Sequence, residues 1–193
     1  MKTIILINGP KRGGKDYSAT LLTEILKERI NVRTLSFAYP LKKIMADTFG
    51  ITLDELEEYK NSALRLVTEE SNGYQKDISN FRLILQRFGT EGMKPQFGDG
   101  VWSNLLLSKI LDNSDEQIIL VPDFRFNIES EIIKSSNYRV LTLKIRNDDK
   151  VNSDTHPSER ELDDYDFDCV IDNTGYSKFL EQKLQEFVKE YDF

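Results

Sequence analysis

Short apolar runs alternate with amphipathic stretches along most of the chain. The first, KTIILIN over 2–8, is rich in β-branched residues and closed by Gly9-Pro10, which predicts a strand buried on both faces. From Lys15 to Arg29, Leu21, Leu22, Ile25 and Leu26 recur at helical spacing. NVRTLSFA (31–38) predicts a second strand. PLKKIMADTFG predicts a helix from Pro40 to a stop at Gly50. Residues 52–80 are polar, with fragments of helical pattern. ISNFRLILQRFGTE (78–91) and GVWSNLLLSKILDN (100–113) predict two amphipathic helices. EQIILVPDF, YRVLTLKI and DFDCVIDN supply a third, fourth and fifth strand, and SKFLEQKLQEFVKEY a closing helix.

Strand and helix in alternation, with strands that are mostly uninterrupted apolar runs, predict a parallel sheet covered by helices on both faces. Two connections stand out. About residues 37–117 separate the second and third strands. Arg146–Asp166, between the fourth and fifth, is polar, has little to bury, and reads as a flap.

Composition narrows the class. With 193 residues, 39% hydrophobic and 31% charged, the chain suits one globular domain with a substantial core. A net charge of -7 argues against polymeric nucleic acid or an anionic membrane as partner, since those leave a basic footprint. Any anionic ligand must be met by a local concentration of Lys and Arg. The lone Cys169 excludes an internal disulfide and a multi-cysteine metal site. The apolar run Thr3–Ile7 is too short to span a membrane. A cytoplasmic location is expected.

Four constellations carry candidate chemistry. Gly9-Pro10-Lys11-Arg12-Gly13-Gly14-Lys15 fits G-x-x-x-x-G-K between a strand and a helix. Glycines let the backbone curl so that N–H groups face phosphate oxygens, and the helix start adds its positive end. Lys15 can reach the β- and γ-phosphates. Asp16 stands where a hydroxyl would be usual; its carboxylate can hold Mg²⁺ directly or through water, or merely cap a solvated turn. Asp123-Phe124-Arg125 ends the third strand, where ligands sit in open parallel sheets. Asp123 can orient Mg²⁺-bound water and Arg125 can clamp a phosphate, the alternative being a surface ion pair. In RLILQRFGTE, Arg82 and Gln86 share a helix face, and with Arg87 and Glu91 can grip an acceptor phosphate or a base edge. The alternative is a solvated charged face. Trp102 can stack on a ring, although its spacing with Leu105 and Leu106 equally fits a core. Last, Asn173 and Gly175 follow the fifth strand, where an adenine edge often rests. His156, the sole histidine, reads as a loop residue before a cap at Ser158, with Glu161 completing a capping box.

GPKRGGKD, FAYPLKKIM, LQRFGTE, VPDFRF and DDYDFDCVIDNTG, in this order, resemble the phage-type deoxynucleoside monophosphate kinases, P-loop enzymes that move the γ-phosphate of ATP onto a dNMP. The GKD variant is a feature of that family. A looser resemblance extends to animal-type phosphomevalonate kinases. The resemblance implies a three-layer α/β P-loop fold with a five-stranded parallel sheet, an acceptor-binding helical region at about 37–116 and a lid at about 146–166. It implies ATP and Mg²⁺ on Gly9–Tyr17 and an acceptor phosphate met by Lys42, Arg87 and Arg125; the reading of the residues themselves adds metal contacts from Asp16 and Asp123 and, toward the dNMP, Arg82, Gln86, Glu91 and Trp102. Arg125 would contact acceptor phosphate or bridge donor and acceptor. Arg146 and Arg160 are the candidates for closing over ATP; the flap holds few arginines, a departure from the family's lid. The aromatic and amide groups Phe81, Gln86, Phe88 and Trp102 suit a planar base better than a small branched acid phosphate. A GTPase switch lacks support, since N-K-x-D is absent and the third strand ends in D-F-R. A silent nucleotide-binding protein and a homodimer both stay compatible with the sequence.

Overall fold

The computed structural model describes residues 2–62, 81–111, 115, 117–150, 157–175 and 179–193. The sheet has five parallel strands: β1 (Thr3–Asn8), β2 (Val32–Thr34), β3 (Ile118–Val121), β4 (Arg139–Arg146) and β5 (Cys169–Asp172), in the order β2-β3-β1-β4-β5. Thr3 pairs with Ile118 on one side and Arg139 on the other. The phosphate-type loop therefore leaves the central strand.

The two faces follow from the connections. α1 (Lys15–Leu26) links β1 leftward to β2, whereas α7 (Asn127–Lys134) links β3 rightward to β4. Right-handed crossovers in opposite directions put their helices on opposite faces. Burial agrees: Ile5 and Ile7 pack with Ala19, Leu22 and Leu26 of α1 and with Leu184 and Phe187 of α9 (Leu180–Glu190). Ile4 and Leu6 point the other way and are equally buried. Each such side chain contributes about 1.5–3 kcal/mol when fully buried.

The chain divides into two compact units, Met1–Phe37 with Ser103–Phe193, and Ala38–Trp102. The second is helical: α2 (Tyr39–Phe49), α3 (Leu53–Asn61), α4 (Phe81–Gln86), a π-helix (Arg87–Met93) and α5 (Lys94–Phe97). α6 (Val101–Leu111) starts in it and continues into the first unit. Thr52 and Glu55 form a capping box at the start of α3. Of the stretch 37–116 expected to bind the acceptor, 38–102 belongs to the second unit and the rest of α6 to the first.

Three expectations change. The second strand ends at Thr34 rather than at 38, because Ser36 and Phe37 turn to bond Asp123. The helix expected over 78–91 widens at Arg87 into the π-helix; residues 78–80 lie outside the described residues. Glu161 does not cap Ser158. Ser158 lies within the short α8 (Pro157–Arg160), and Glu161 accepts a hydrogen bond from the Asn127 N–H at 2.8 Å, at the start of α7. His156 and the flap segment 151–156 lie outside the described residues.

Candidate functional site

Asn8, the last residue of β1, begins the loop. A Cβ on Gly9 would lie 2.8 Å from the Ile145 carbonyl oxygen, so the chain can run this close to β4 only without a side chain. Pro10 to Gly13 form a tight turn closed by the Gly13 N–H to the Pro10 carbonyl at 2.9 Å, with Arg12 at φ 62. Gly14 follows at φ 105, the left-handed region that favours glycine. Gly14 offers no capping side chain to α1, so the first-turn amides of a twelve-residue helix lack a side-chain acceptor from that position. Lys15 is largely buried while its Nζ lies 3.2 Å from Asp16 Oδ2, and Asp16 itself is 79% exposed. Lys11, Arg12 and Tyr17 are exposed around it. Such a turn at a helix start, with a lysine beside it, is chemically able to cradle an anion.

The D-F-R segment is tied to that cradle. Asn8 Nδ2 donates to the Phe124 carbonyl at 2.9 Å, and the Phe124 N–H to the Ile7 carbonyl at 3.3 Å. Asp123 accepts from Ser36 Oγ at 2.7 Å and from the Phe37 N–H at 3.0 Å, one bond on each oxygen. The Arg125 guanidinium donates to the Ser158 carbonyl at 2.9 Å and pairs with Glu159, so α8 holds it. Its main-chain N–H and that of Phe126 both donate to Glu129, at 2.8 and 3.0 Å. Asn8, Ser36, Glu129 and Glu159 were not legible as site-building residues: each acts across a long sequence separation or through the main chain.

Behind the loop, the ends of β4 and β5 are laced together. Arg146 pairs with Asp172 at 2.7 Å, and its guanidinium with a hydrogen bond from Thr174 holds the Asp172 carboxyl far below the usual carboxylate range. Gly175, at φ 80, donates its N–H to Asp149 at 2.7 Å. Asn173 is 8% exposed and its Nδ2 donates to the Gly13 carbonyl at 2.9 Å, so the side chain faces the loop's own backbone. Arg160 pairs with Asp163 at 2.9 Å.

The second unit gathers cations by side chains. Lys42 Nζ lies 2.5 Å from Glu57 Oε1, and Lys60 pairs with the other oxygen. Burial alone would raise the Glu57 carboxyl, but hydrogen bonds from Lys42 and Lys60 prevail and lower it. Burial, then the nearby Lys42 charge, lowers the Lys60 ammonium; Arg82 repels it further. Arg87 and Glu91 are exposed in the π-helix, a form that often marks functional sites, and Gln86 precedes it, half-buried. Gly89 explains the glycine of QRFGTE. A Cβ there would meet Leu41 Cδ2 at 2.7 Å, and its carbonyl accepts the Trp102 indole N–H at 3.1 Å. Leu41 precedes Lys42, so this contact sets the helix bearing Lys42 against the one bearing Arg87. Trp102 is 6% exposed and takes the core position that its spacing also allowed, not an open stacking surface. Phe81 is buried against Tyr59 and Phe49.

Among the described residues, no group of three or more His, Cys, Asp or Glu is arranged to hold a metal ion. Mg²⁺ bound to nucleotide needs only one or two protein carboxylates, because phosphates and water complete its shell. The exposed Asp16 and the loop-proximal Asp123 fit that need.

No curated protein matches the chain by sequence. Among solved structures, it is similar to an APS kinase mutant from Mycobacterium tuberculosis, at 12% identity and a TM-score of 0.47, covering 100% of this chain and 98% of that one. It is also similar to shikimate kinase from Acinetobacter baumannii, at 14% identity and a TM-score of 0.46, covering 99% and 94%. The profile of the family described as deoxynucleotide monophosphate kinase matches residues 51–184, more than half of the chain and inclusive of QRFGTE, VPDFRF and DDYDFD. The chain belongs to the deoxynucleotide monophosphate kinase family.

Proposed function

We propose that this kinase transfers the γ-phosphoryl group of ATP to the phosphate of a deoxynucleoside monophosphate, giving a dNDP and ADP. The observation that carries the donor side is the left-handed Gly14 at the head of α1, with Lys15 beside it and the D-F-R segment bonded to Asn8. Gly9–Tyr17 hold the triphosphate, and Lys15 neutralises charge as the phosphoryl group moves between oxygens. Lys42 and Arg87 take the acceptor's phosphate, with Arg82, Gln86 and Glu91 toward the base. Arg125 takes a phosphate oxygen on leaving Glu159, and Arg146 and Arg160 serve the lid. Asp16 and Asp123 would hold a Mg²⁺ brought in with the nucleotide, which would offset the charge of its phosphates. A monophosphate oxygen is already a nucleophile, so no general base is required. Catalysis is then positioning and charge neutralisation.

Coupled ADP release, measured with and without a panel of dNMPs and with mevalonate phosphate, tests this. ADP release that depends on a dNMP supports the proposal; release that ignores dNMPs or follows mevalonate phosphate overturns it. Arg87→Ala is expected to raise the KM for dNMP by about tenfold or more, while the KM for ATP stays within about twofold. Equal losses on both sides would remove Arg87 from the acceptor site.

A further inference from the structure

Asn173 carries an imbalance. Its Nδ2 bonds the Gly13 carbonyl, yet its Oδ1 is buried and accepts no hydrogen bond among the described residues. A buried acceptor without a donor lowers stability, and an apolar side chain would avoid that. What the amide supplies must therefore be the bond to Gly13.

That bond acts on a particular peptide plane. In a trans peptide the C=O of Gly13 and the N–H of Gly14 point in opposite directions. Drawing the carbonyl toward Asn173 turns the Gly14 N–H to the other side. A Gly-Gly peptide flips easily, because neither residue has a Cβ to resist it. Flipped, the plane would present a carbonyl oxygen where the loop needs a donor for phosphate. Asn173 itself has little freedom. Its N–H donates to the Arg146 carbonyl at 2.7 Å, and its carbonyl accepts from Asn147 Nδ2 at 2.9 Å. The next residue is held too, since Thr174 Oγ1 accepts from the Asp148 N–H at 3.0 Å. The fit is close: a Cβ on Gly14 would lie 2.6 Å from Asn173 Nδ2.

We propose that Asn173 is a positioning residue that locks the Gly13–Gly14 peptide with its carbonyl outward and its amide toward the phosphates. The adenine edge expected at this position is then not the role of its side chain. The inference rests on the reading of Gly9–Tyr17 as the triphosphate cradle.

The test compares wild type, Asn173→Ala, Asn173→Asp and Asn147→Ala for binding of a non-hydrolysable ATP analogue by calorimetry, and for the two KM values. Loss of the bond is expected to weaken analogue binding about tenfold in Asn173→Ala, with the KM for dNMP within about twofold. Asn173→Asp, which sets an acceptor against the Gly13 carbonyl, weakens it further. Asn147→Ala, which removes a bond to the Asn173 carbonyl and leaves the bond to Gly13 its own donor, gives a smaller loss of the same kind and carries the test if the buried variants misfold. Analogue affinity unchanged in the Asn173 variants overturns the inference. So does an equal rise of both KM values together with a lower melting temperature. Wild type that binds no analogue sinks the cradle reading itself, and this inference with it.

Discussion

On the proposed function, the two units would meet phosphate chemistry in different ways. The first uses main chain: glycines, a left-handed residue and a helix start, braced by Asn8 and Asn173. The second uses ionic side chains, Lys42 and Lys60 on Glu57 with Arg82 near, and carries Arg87 in a π-helix. A main-chain cradle is stiff and indifferent to what the phosphate is attached to. Side-chain cations on helices can be repositioned by small packing changes, which would suit the acceptor role proposed for them. Donor-side changes should therefore act on ATP and kcat, and second-unit changes on the acceptor.

The largest expected effect is at Lys15. Lys15→Ala should lower kcat by about a thousandfold or more with an unchanged melting curve, since it removes charge compensation at the moving phosphoryl group. A variant near wild-type turnover would dissolve the donor side of the contrast. Next is Gly14→Ala. The left-handed φ of 105 and the contact with Asn173 should destabilise the fold by about 1–3 kcal/mol and raise the KM for ATP, read from melting and initial rates. An unstrained, fully active variant would mean that the backbone there is not fixed.

Gly89→Ala sharpens the comparison from the other side. Overpacking against Leu41 should cost about 1–3 kcal/mol and raise the KM for dNMP while sparing that for ATP. Leu41→Ala in the same chain should recover part of the loss, a non-additivity that a double-mutant cycle measures. Strict additivity would deny the contact.

The smallest effect is in pH dependence. Glu57 has a folded pKa below its ordinary 4.5, so its contribution is full above 4.5 and is lost as pH falls through the folded value. Lys60 has a folded pKa below 10.5, so between the two values the unfolded chain binds more protons and stability rises with pH. Glu57→Gln should flatten the acid limb and Lys60→Met the alkaline one, in denaturant melts across pH. Unchanged limbs in both variants would deny the ionic cluster its place.

Where structure follows from local chemistry, the residues disclosed it. β1 and β3 are nearly continuous apolar runs, β4 alternates apolar with polar residues, and the loop is written in spacing alone. What depends on distant partners did not show. β2 is short because Asp123 captures Ser36 and Phe37 from 86 or more residues away. α7 went unpredicted: NIESEIIK is brief and polar, and its start is fixed by Glu129 and Glu161. Glu57 and Lys60 looked like part of a polar stretch until α3 placed Glu57 against both Lys42 and Lys60. The widening at Arg87 has no sequence period of its own, although the glycine of QRFGTE marked where close packing would occur.

The borders of the sheet have a consequence outside catalysis. β2 spans three residues and β5 four, and these are the outermost strands. Long unpaired borders invite strand addition by other copies and lead toward aggregates; short ones present few open main-chain groups. The hydrophobic strands β1 and β3, which would be most prone to such assembly, lie inside, flanked on both sides. Brief margins of this kind leave little open main chain for fibre-like association between copies.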